Sequence, residues 1–258
     1  MWDYENKVAQ QAAKEAGAIL KRLFGRTHRI VKKGEIDLVT EADLLAEEKI
    51  LEIIRRSFPE DTILSEEKGM HHTQSERTWL VDPLDGTTNF AHGFPFFAVS
   101  IALEVAGKGV LGVVFNPCSK EHFHAIHGEG AFLNGRPLQV SKINVMGDAL
   151  LATGFPYTIR QDPNPIVEDF KKMVMMAQGV RRPGSAAIDL CYLAAGMVDG
   201  FWEKGLKPWD TAAGAVIVRE AGGIVTDYEG KPYSPYADSI VAANPFIHPS
   251  MLAVLRPA

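Results

Sequence analysis

The stretch between residues 82 and 90 reads DPLDGTTNF and places two carboxylates, Asp82 and Asp85, three positions apart. The apolar run at residues 79–81 predicts a short buried strand, so both acids stand at its C-terminal end. Pro83 lacks an N–H and favours an extended conformation for Asp82, so we expect the chain to leave the strand ladder there. Buried charge without a partner is costly, and hard divalent cations are its usual compensation. This pattern predicts a Mg²⁺ site beside a phosphate site.

Further acids stand at the ends of predicted elements elsewhere in the chain. Residues 62–64 predict a strand that runs into Glu66 and Glu67, for which a solvated charged turn is the alternative. Asp210 opens a predicted helix, where the helix dipole alone would favour an acid. The candidate ligand set for two Mg²⁺ ions is therefore Glu66, Asp82, the Leu84 carbonyl, Asp85 and Asp210, with water and substrate completing each shell.

The residues after Asp85 predict the phosphate contact and, with the acids, the reaction. Gly86 lets the backbone approach closely, Thr87 and Thr88 add hydroxyl donors, and a helix starting here would leave N–H groups for phosphate. Bound divalent ions activate water and stabilise a leaving oxygen. The sequence shows no serine or cysteine nucleophile with an adjacent histidine base, which favours direct attack by water. The predicted chemistry is metal-assisted hydrolysis of a phosphate ester.

The composition is that of a soluble globular protein rather than a nucleic-acid or membrane protein. The chain has 258 residues, so we expect one domain over residues 1–258, built from two intimate halves at about 1–140 and 141–258. A net charge of −5 argues against general nucleic-acid affinity. The chain has two cysteines, no 18-residue apolar run and no signal-peptide pattern, so we expect a reducing, cytoplasmic location without membrane association.

Helical and strand patterns alternate in blocks that must position these acids. In the first half we expect a helix over residues 3–24, an extended or hairpin segment at 31–39, and a helix from the cap Thr40 to Phe58 with Asp43 in its first turn. The second half opens near Ser141. Strands are predicted at 97–105, 110–115, 121–126, 130–133, 149–152, 201–203, 224–226 and 239–243, and helices at 162–178, 186–198 and 211–221 and after Pro249. Strands and helices that occur in separate blocks, with hairpins among the strands, favour a layered α+β fold over a regular parallel βαβ fold.

Some conspicuous residues have plainer interpretations. His122 and His124 share one strand face and could ligate a transition metal, but without a third ligand nearby we expect surface or sheet-packing histidines. The methionines at 173, 175 and 176 are expected to pack in the core. The polar segment 68–77, with solvated His71 and His72, is expected to be a loop.

Several separated blocks make the chain resemble the inositol monophosphatase family, a Mg²⁺-dependent, lithium-sensitive phosphatase superfamily, in its bacterial or archaeal form. The main blocks are LSEE (residues 64–67), WLVDPLDGTTNF (79–90) and PWDTAAG (208–214), supported by DLVTEAD (37–43) and GSAA (184–187). The match runs in order over nearly the whole chain, and its long central block is highly specific. The resemblance implies a layered αβαβα sandwich, of the type shared with fructose-1,6-bisphosphatase, that assembles as a homodimer.

The same resemblance implies roles for individual residues. Glu66, Asp82, the Leu84 carbonyl, Asp85 and Asp210 would hold two or three Mg²⁺ ions. Asp43 and Thr87 would position or help deprotonate the attacking water, which a metal on Glu66 would hold, and Gly86 and Thr87 would contact phosphate. Gly184, Ser185, Ala186, Glu203, Asp85 and Asp210 would contact the sugar or cyclitol hydroxyls. An exposed strand-end acid is the alternative for Glu203.

The resemblance also sets the range of expected functions. The first expectation is hydrolysis of myo-inositol 1(or 4)-monophosphate. The alternative is a fructose-1,6-bisphosphatase or a dual-specificity sugar phosphatase. Relatives that cleave 3′-phosphoadenosine 5′-phosphate or histidinol phosphate are more distant possibilities. A different class is a transcription-antitermination partner of RNA polymerase accessory factors, for which the pairs at 171–172 and 181–182 could form a basic docking face, against a merely solvated face.

Overall fold

The computed structural model describes residues 1–26, 30–32, 38–71 and 73–256, with the backbone alone at residues 30–32, 38 and 39. The predicted segment at 33–37 and the expectation for His72 lie outside these residues. None of the described helices combines the length and apolarity needed to cross a membrane.

The first half of the chain builds a mixed eight-stranded sheet with order β10-β9-β8-β7-β6-β5-β3-β4, next to a separate β1–β2 hairpin. Neighbouring strands are antiparallel except for the parallel pair β3 and β5. Its elements are α1 (Asp3–Leu23), β1 (Ile30–Lys32), β2 (Leu38–Thr40), α2 (Glu41–Ser57), β3 (Thr62–Ser65), β4 (Gly69–His71), β5 (Arg77–Asp85), α3 (Thr87–Ala91), β6 (Ala98–Val105), β7 (Lys108–Asn116), β8 (Glu121–Ile126), β9 (Gly130–Leu133) and β10 (Arg136–Pro137).

The second half builds a five-stranded sheet with order β12-β11-β13-β15-β14. Strand β11 is parallel to both of its neighbours, whereas β15 is antiparallel to its own. A 3₁₀ turn at Met146–Asp148 precedes the elements, which are β11 (Leu150–Thr153), α4 (Asn164–Met176), β12 (Gly179–Arg181), α5 (Ala186–Ala194), β13 (Gly200–Lys204), α6 (Pro208–Glu220), β14 (Ile224–Thr226), β15 (Ser239–Ala243) and α7 (His248–Leu255).

These elements stack in five layers, which confirms the predicted αβαβα sandwich. Helices α1 and α2 cover one face of the eight-stranded sheet, and α5 and α6 cover the other. The same α5 and α6 contact the five-stranded sheet, whose far face packs against α4 and α7. Apolar side chains fill each interface, and burying them is the main driving force for this arrangement.

Three local expectations were wrong. The chain does not leave the ladder at Asp82: β5 continues to Asp85 through an irregularity between Asp82 and Asp85, opposite Ala98 of β6. Strand β4 lies inside the segment 68–77 that was expected to be a loop, and strand β12, which follows the predicted helix directly, was not predicted. Met173 is buried as predicted, but Met175 is 80% exposed and Met176 is also exposed, because only one side of α4 meets the sheet.

Helix α6 and the eight-stranded sheet are in very close contact at Gly112 of β7. A Cβ atom placed on Gly112 would collide with the backbone carbonyl of Ala213 on α6. Backbone cannot rotate away as a flexible side chain can, so this position requires glycine for steric reasons.

We predict that Gly112→Ala lowers the free energy of unfolding by about 1–3 kcal/mol, the range typical of overpacking. Urea denaturation followed by circular dichroism measures the change. Gly147→Ala is the matched control, since a Cβ atom placed on Gly147 would have no neighbouring atom within 4 Å and the φ of this residue is ordinary. Equal stability of the two variants would contradict the close contact.

Candidate active site

A cavity of about 300 Å³ lies where the C-terminal ends of β3 and β5 meet the N-terminal ends of α5 and α6. The structure brings together in its wall nearly all the residues that the sequence singled out. Those lining the cavity are Glu66, Asp82, Leu84, Asp85, Gly86, Thr87, Gly184, Ser185, Ala186, Glu203 and Asp210. Asp43 is the predicted site residue that does not line it, and it lies directly behind Thr87.

Main-chain and side-chain donors hold one oxygen of each central aspartate. Asp82 Oδ1 accepts a hydrogen bond from the Leu84 N–H at 2.9 Å, and Asp210 Oδ2 accepts one from the Lys207 N–H at 2.7 Å. Asp85 Oδ2 accepts two, from Ser185 Oγ at 2.5 Å and from the Ala187 N–H at 2.8 Å. These bonds fix the orientation of each carboxylate toward the cavity.

The carboxylates raise one another's pKa values because they are buried together. Burial raises the pKa of Asp82 well above its ordinary value, and the charges of Glu66, Asp85 and Asp210 raise it further. Burial likewise raises the pKa of Asp85 to about 6. The pKa of Asp210 is raised by burial and by Asp85, while the nearby charge of Lys207 opposes the shift. The ionised forms of Asp82 and Asp210 are therefore disfavoured by burial and by neighbouring carboxylates, and Lys207 only partly offsets this at Asp210.

This donor set fits divalent metal ions. It consists of oxygen atoms alone, as Mg²⁺ prefers, and a bound cation would remove the repulsion that raises these pKa values. Within the described residues, no three His, Cys, Asp or Glu side chains already stand together as a closed cage.

Asp43 and Thr87 form a buried hydrogen-bonded pair beside the carboxylates. Thr87 Oγ1 lies 3.2 Å from Asp43 Oδ1 and 3.0 Å from the Leu84 carbonyl oxygen, and it can donate to either. Asp43 Oδ2 accepts from the N–H and the hydroxyl of Thr40 at 2.8 and 2.6 Å, which completes the predicted cap of α2. Burial raises the pKa of Asp43 to about 6, although the Thr40 hydrogen bonds oppose the shift.

The turn between β5 and α3 lines the cavity with Gly86, Thr87 and Thr88, where α3 begins. Gly86 precedes α3 with φ of 92°, a backbone conformation that favours glycine. A Cβ atom there would also lie 2.9 Å from the Phe96 carbonyl oxygen, so the lack of space excludes larger residues as well. The first N–H groups of any helix lack intrahelical acceptors. Because α3 has five residues, its first N–H groups would contribute more to phosphate binding than its helix dipole would.

The opposite rim comes from the second half of the chain. Ser185 caps α5, with its Oγ 3.4 Å from the Ile188 N–H, and Gly184 and Ala186 flank it at the cavity wall. Glu203 is buried on β13 rather than exposed at a strand end, so that alternative was wrong. Burial, followed by the charge of Asp210, raises the pKa of Glu203 well above its ordinary value.

Three charged residues that line the cavity were not predicted as site residues, namely Asp189, Arg182 and Lys207. Asp189 lines the cavity, and burial followed by Glu203 and Asp85 raises its pKa well above its ordinary value. The available signal was its place as the one acid in the apolar helix segment AAIDLCYLA. Arg182 also lines the cavity, with its guanidinium 5.6 Å from the centre of the Phe155 ring. Its sequence neighbours had suggested only a place on a basic surface.

A layered αβαβα fold with an acid-lined cavity beside free backbone N–H groups defines a phosphatase architecture. The model of the inositol monophosphatase family matches residues 1–257, and the chain belongs to this metal-dependent family of phosphoric monoester hydrolases. The chain is 46% identical to the inositol-1-monophosphatase of Synechocystis sp. over 251 residues, which cover 96% of this chain and 88% of that protein.

Two further similarities are to proteins that carry the name SuhB. The chain is 43% identical to the Nus factor SuhB of Escherichia coli (strain K12) over 252 residues, covering 96% of this chain and 94% of the relative. The crystal structure of the extragenic suppressor protein suhB from Bartonella henselae superposes with a TM-score of 0.93 at 42% identity, covering 98% of both chains.

Glu47 supports the turn that carries Glu66. It lies on α2 one turn after Asp43, fully buried, and its Oε1 accepts the N–H groups of Glu67 and Lys68 at 3.0 Å each. Its Oε2 is buried without a hydrogen-bond partner in the described part of the chain. Glu47 therefore ties the end of β3, and with it Glu66, to the helix that carries Asp43.

We predict that Glu47→Ala weakens Mg²⁺ binding by roughly tenfold, because two unsatisfied N–H groups, at about 1–3 kcal/mol each, would let the turn move. Calorimetric titration with MgCl₂ measures this without any substrate. Glu47→Gln is the matched control, since its amide oxygen still accepts both N–H groups, and its affinity should stay within about twofold of wild type. Unchanged Mg²⁺ affinity in Glu47→Ala would contradict the positioning role.

Proposed function

We propose that the protein is a Mg²⁺-dependent phosphatase that hydrolyses myo-inositol 1(or 4)-monophosphate to inositol and phosphate. The observation that carries this proposal is the cluster of buried, mutually repelling carboxylates Asp82, Asp85 and Asp210 next to the N–H groups of the Gly86–Thr87 turn. A dianionic phosphate could not approach that cluster unless cations lay between them, which supports metal-dependent chemistry on a phosphate group.

Glu66, Asp82, the Leu84 carbonyl, Asp85 and Asp210 would hold two or three Mg²⁺ ions. When bound, such ions supply Lewis acidity that lowers the pKa of water and offsets negative charge on the phosphate oxygens. The backbone N–H groups of Gly86 and Thr87 would hold a phosphate oxygen and fix the direction from which phosphorus is attacked.

Asp43 and Thr87 would manage the proton of the attacking water. The Thr87 hydroxyl can donate to Asp43 Oδ1 and accept a hydrogen bond from water on its cavity side. As the water attacks phosphorus, its proton passes to Thr87 while Thr87 passes its own to Asp43. The ester P–O bond breaks on the opposite side, and the leaving alcohol oxygen would take its proton from solvent water. The raised pKa of Asp43, about 6, gives a carboxylate that is ionised at neutral pH and more basic than an exposed aspartate.

The rim favours a polyhydroxylated leaving group with one phosphate. Glu203 and Asp210 are hydrogen-bond acceptors for sugar or cyclitol hydroxyls, and Ser185 and the Gly184 and Ala186 backbone add further polar groups. Acidic Asp189 and Glu203 would repel a second phosphate, although Arg182 nearby lessens that effect. The 300 Å³ cavity is small for a nucleotide. We therefore rank inositol monophosphate above fructose 1,6-bisphosphate, and both above 3′-phosphoadenosine 5′-phosphate.

We expect phosphate release with Mg²⁺ from inositol 1-phosphate to exceed release from fructose 1,6-bisphosphate and from 3′-phosphoadenosine 5′-phosphate, with lithium inhibiting each. Asp85→Asn should lower kcat by at least ~100-fold, because it removes a metal-binding charge while keeping an oxygen that accepts from Ser185. Wild-type rates in this variant would overturn the site assignment. No release from any of the three esters would overturn the proposed activity.

We predict opposite effects of Asp82→Asn on stability without and with metal. In EDTA the variant should unfold at a higher temperature than wild type, because one repelling charge is gone and the acceptor for the Leu84 N–H remains. Saturating Mg²⁺ should raise the midpoint temperature of wild-type unfolding by roughly 5–10 °C, as expected for ligand at about 100 times its Kd. It should raise the midpoint temperature of the variant far less. Differential scanning calorimetry measures both.

Asp148→Asn, which removes an exposed acid far from the cavity, is the control and should behave as wild type in both conditions. A lower midpoint for Asp82→Asn in EDTA would contradict the repulsion.

A second function, as a binding partner in transcription, is supported by the relatives named Nus factor SuhB, at 43% identity over 96% of this chain. Lys171 and Lys172 are exposed on α4 but lie near Glu168 and Asp169, which weakens the case for a strongly basic face there. Loss of hydrolysis in Asp85→Asn with retained capture of an RNA polymerase accessory factor would show that the two functions are separable.

The assembly and location are proposed on the family pattern. We propose a cytoplasmic homodimer of one-domain subunits, in which the two halves share the cavity. Free Cys118 and Cys191 suit a reducing compartment. Exposed apolar side chains on α4, including Val167, Val174 and Met175, offer apolar surface for a subunit contact.

A further inference from the structure

A second cavity, of about 400 Å³, opens between α1 and the outer face of β7 and β8. Lys14 of α1, Phe115 of β7 and both His122 and His124 of β8 line it. Its described lining has no residue in common with the cavity at the end of β5. This is therefore a separate feature of the first half of the chain.

Two imidazole nitrogens in this cavity are buried without a hydrogen-bond partner. His122 is 7% exposed, and its Nε2 has no partner within the described residues; the same holds for Nδ1 of His124. The two ring centres are 5.9 Å apart, so the nitrogens belong to one local cluster. Buried polar atoms in folded proteins are nearly always satisfied. Two orphaned nitrogens beside one cavity indicate that a bound group completes them.

The charges around the cavity select an anion. Lys14 and Lys120 line it, and no Asp or Glu does so in the described part of the chain. Burial, followed by the positive charge of Lys14, lowers the pKa of His122 to about 4. Burial and Lys14 also lower the pKa of His124, so each ring is neutral at pH 7 and one of its nitrogens carries a hydrogen. The described lining therefore contains two ammonium groups and two neutral imidazoles, each with one N–H donor.

A transition metal is the competing occupant, since neutral imidazoles are common metal ligands. Two imidazoles need further ligands, and no Asp, Glu or Cys lines this cavity in the described part of the chain. Both lysines would also repel a cation. The geometry and the charge therefore favour an anion over a metal.

We propose that this cavity binds the phosphate monoester of a small organic molecule. The dianionic phosphate matches the two ammonium groups of Lys14 and Lys120, and its oxygens accept the N–H groups of His122 and His124. The cavity is several times larger than a bare phosphate, and the Phe115 ring supplies an apolar wall for the organic part. The site is independent of the proposed hydrolysis, because none of its residues belongs to the catalytic cavity.

The test is a titration of protein labelled with ¹⁵N-histidine, in EDTA, with phenylphosphonate, a dianion whose P–C bond resists hydrolysis. Long-range ¹H–¹⁵N correlation spectra should show saturable shifts of the ring nitrogens of His122 and His124. His127, which is exposed and contacts Glu220, is the internal reference and should not shift. EDTA keeps divalent ions out of the catalytic cavity, so the result does not depend on the proposed hydrolysis.

The double variant Lys14→Met/Lys120→Met should bind phenylphosphonate at least ~10-fold more weakly and keep wild-type hydrolysis of inositol 1-phosphate. Lys108→Met, which changes an exposed lysine at the start of β7, should bind as wild type. Absence of ring shifts, or equal affinity in the double variant, would overturn the proposal. Shifts with micromolar Zn²⁺ but none with phenylphosphonate would instead identify a metal site.

Discussion

The hydrogen bonds from Ser185 and Ala187 to Asp85 are the interaction on which the site depends. They join the end of β5, in the first half of the chain, to the first turn of α5, in the second half. Asn89 strengthens the same junction, since its side-chain amide donates to the carbonyl of Pro183 at 2.9 Å. This junction, together with α5 and α6 packed between the two sheets, brings the acids of both halves to one cavity.

That junction places strong negative charge inside a well-packed molecule, and the surrounding fold must tolerate it. Trp79, Leu80 and Val81 are fully buried just before Asp82, so the charge lies at the edge of a dry core rather than within it. The repulsion among the acids opposes folding, and the apolar layers on both sides of the sheet outweigh it. A binding site of this kind is destabilising until its ligand is present, which links metal content to stability.

Local patterns in the sequence predicted much of this arrangement, whereas features that depend on distant contacts were missed. The cap at Thr40, the acids of residues 82–85 and the layered fold follow from spacing, residue type and the family blocks. The continuation of β5 past Pro83 could not be predicted, because it depends on pairing with Ala98 of β6. The exposure of Met175 depends on which side of α4 meets the sheet. Buried Asp189 looked like an ordinary helix residue, since its acidic neighbours come from other elements.

Asp43 shows how one side chain can tie chemistry to architecture. One of its oxygens accepts the Thr40 N–H and hydroxyl that begin α2, and the other lies within hydrogen-bond distance of Thr87 at the cavity. Hydrogen bonds at the start of α2 thus fix the orientation of the Asp43 carboxylate, the proposed proton acceptor. The substitution Asp43→Asn would keep an oxygen that accepts the Thr40 N–H at the start of α2 and would still remove the carboxylate that accepts the proton. Helix stability at this position therefore cannot be improved freely, because the same carboxylate serves both purposes.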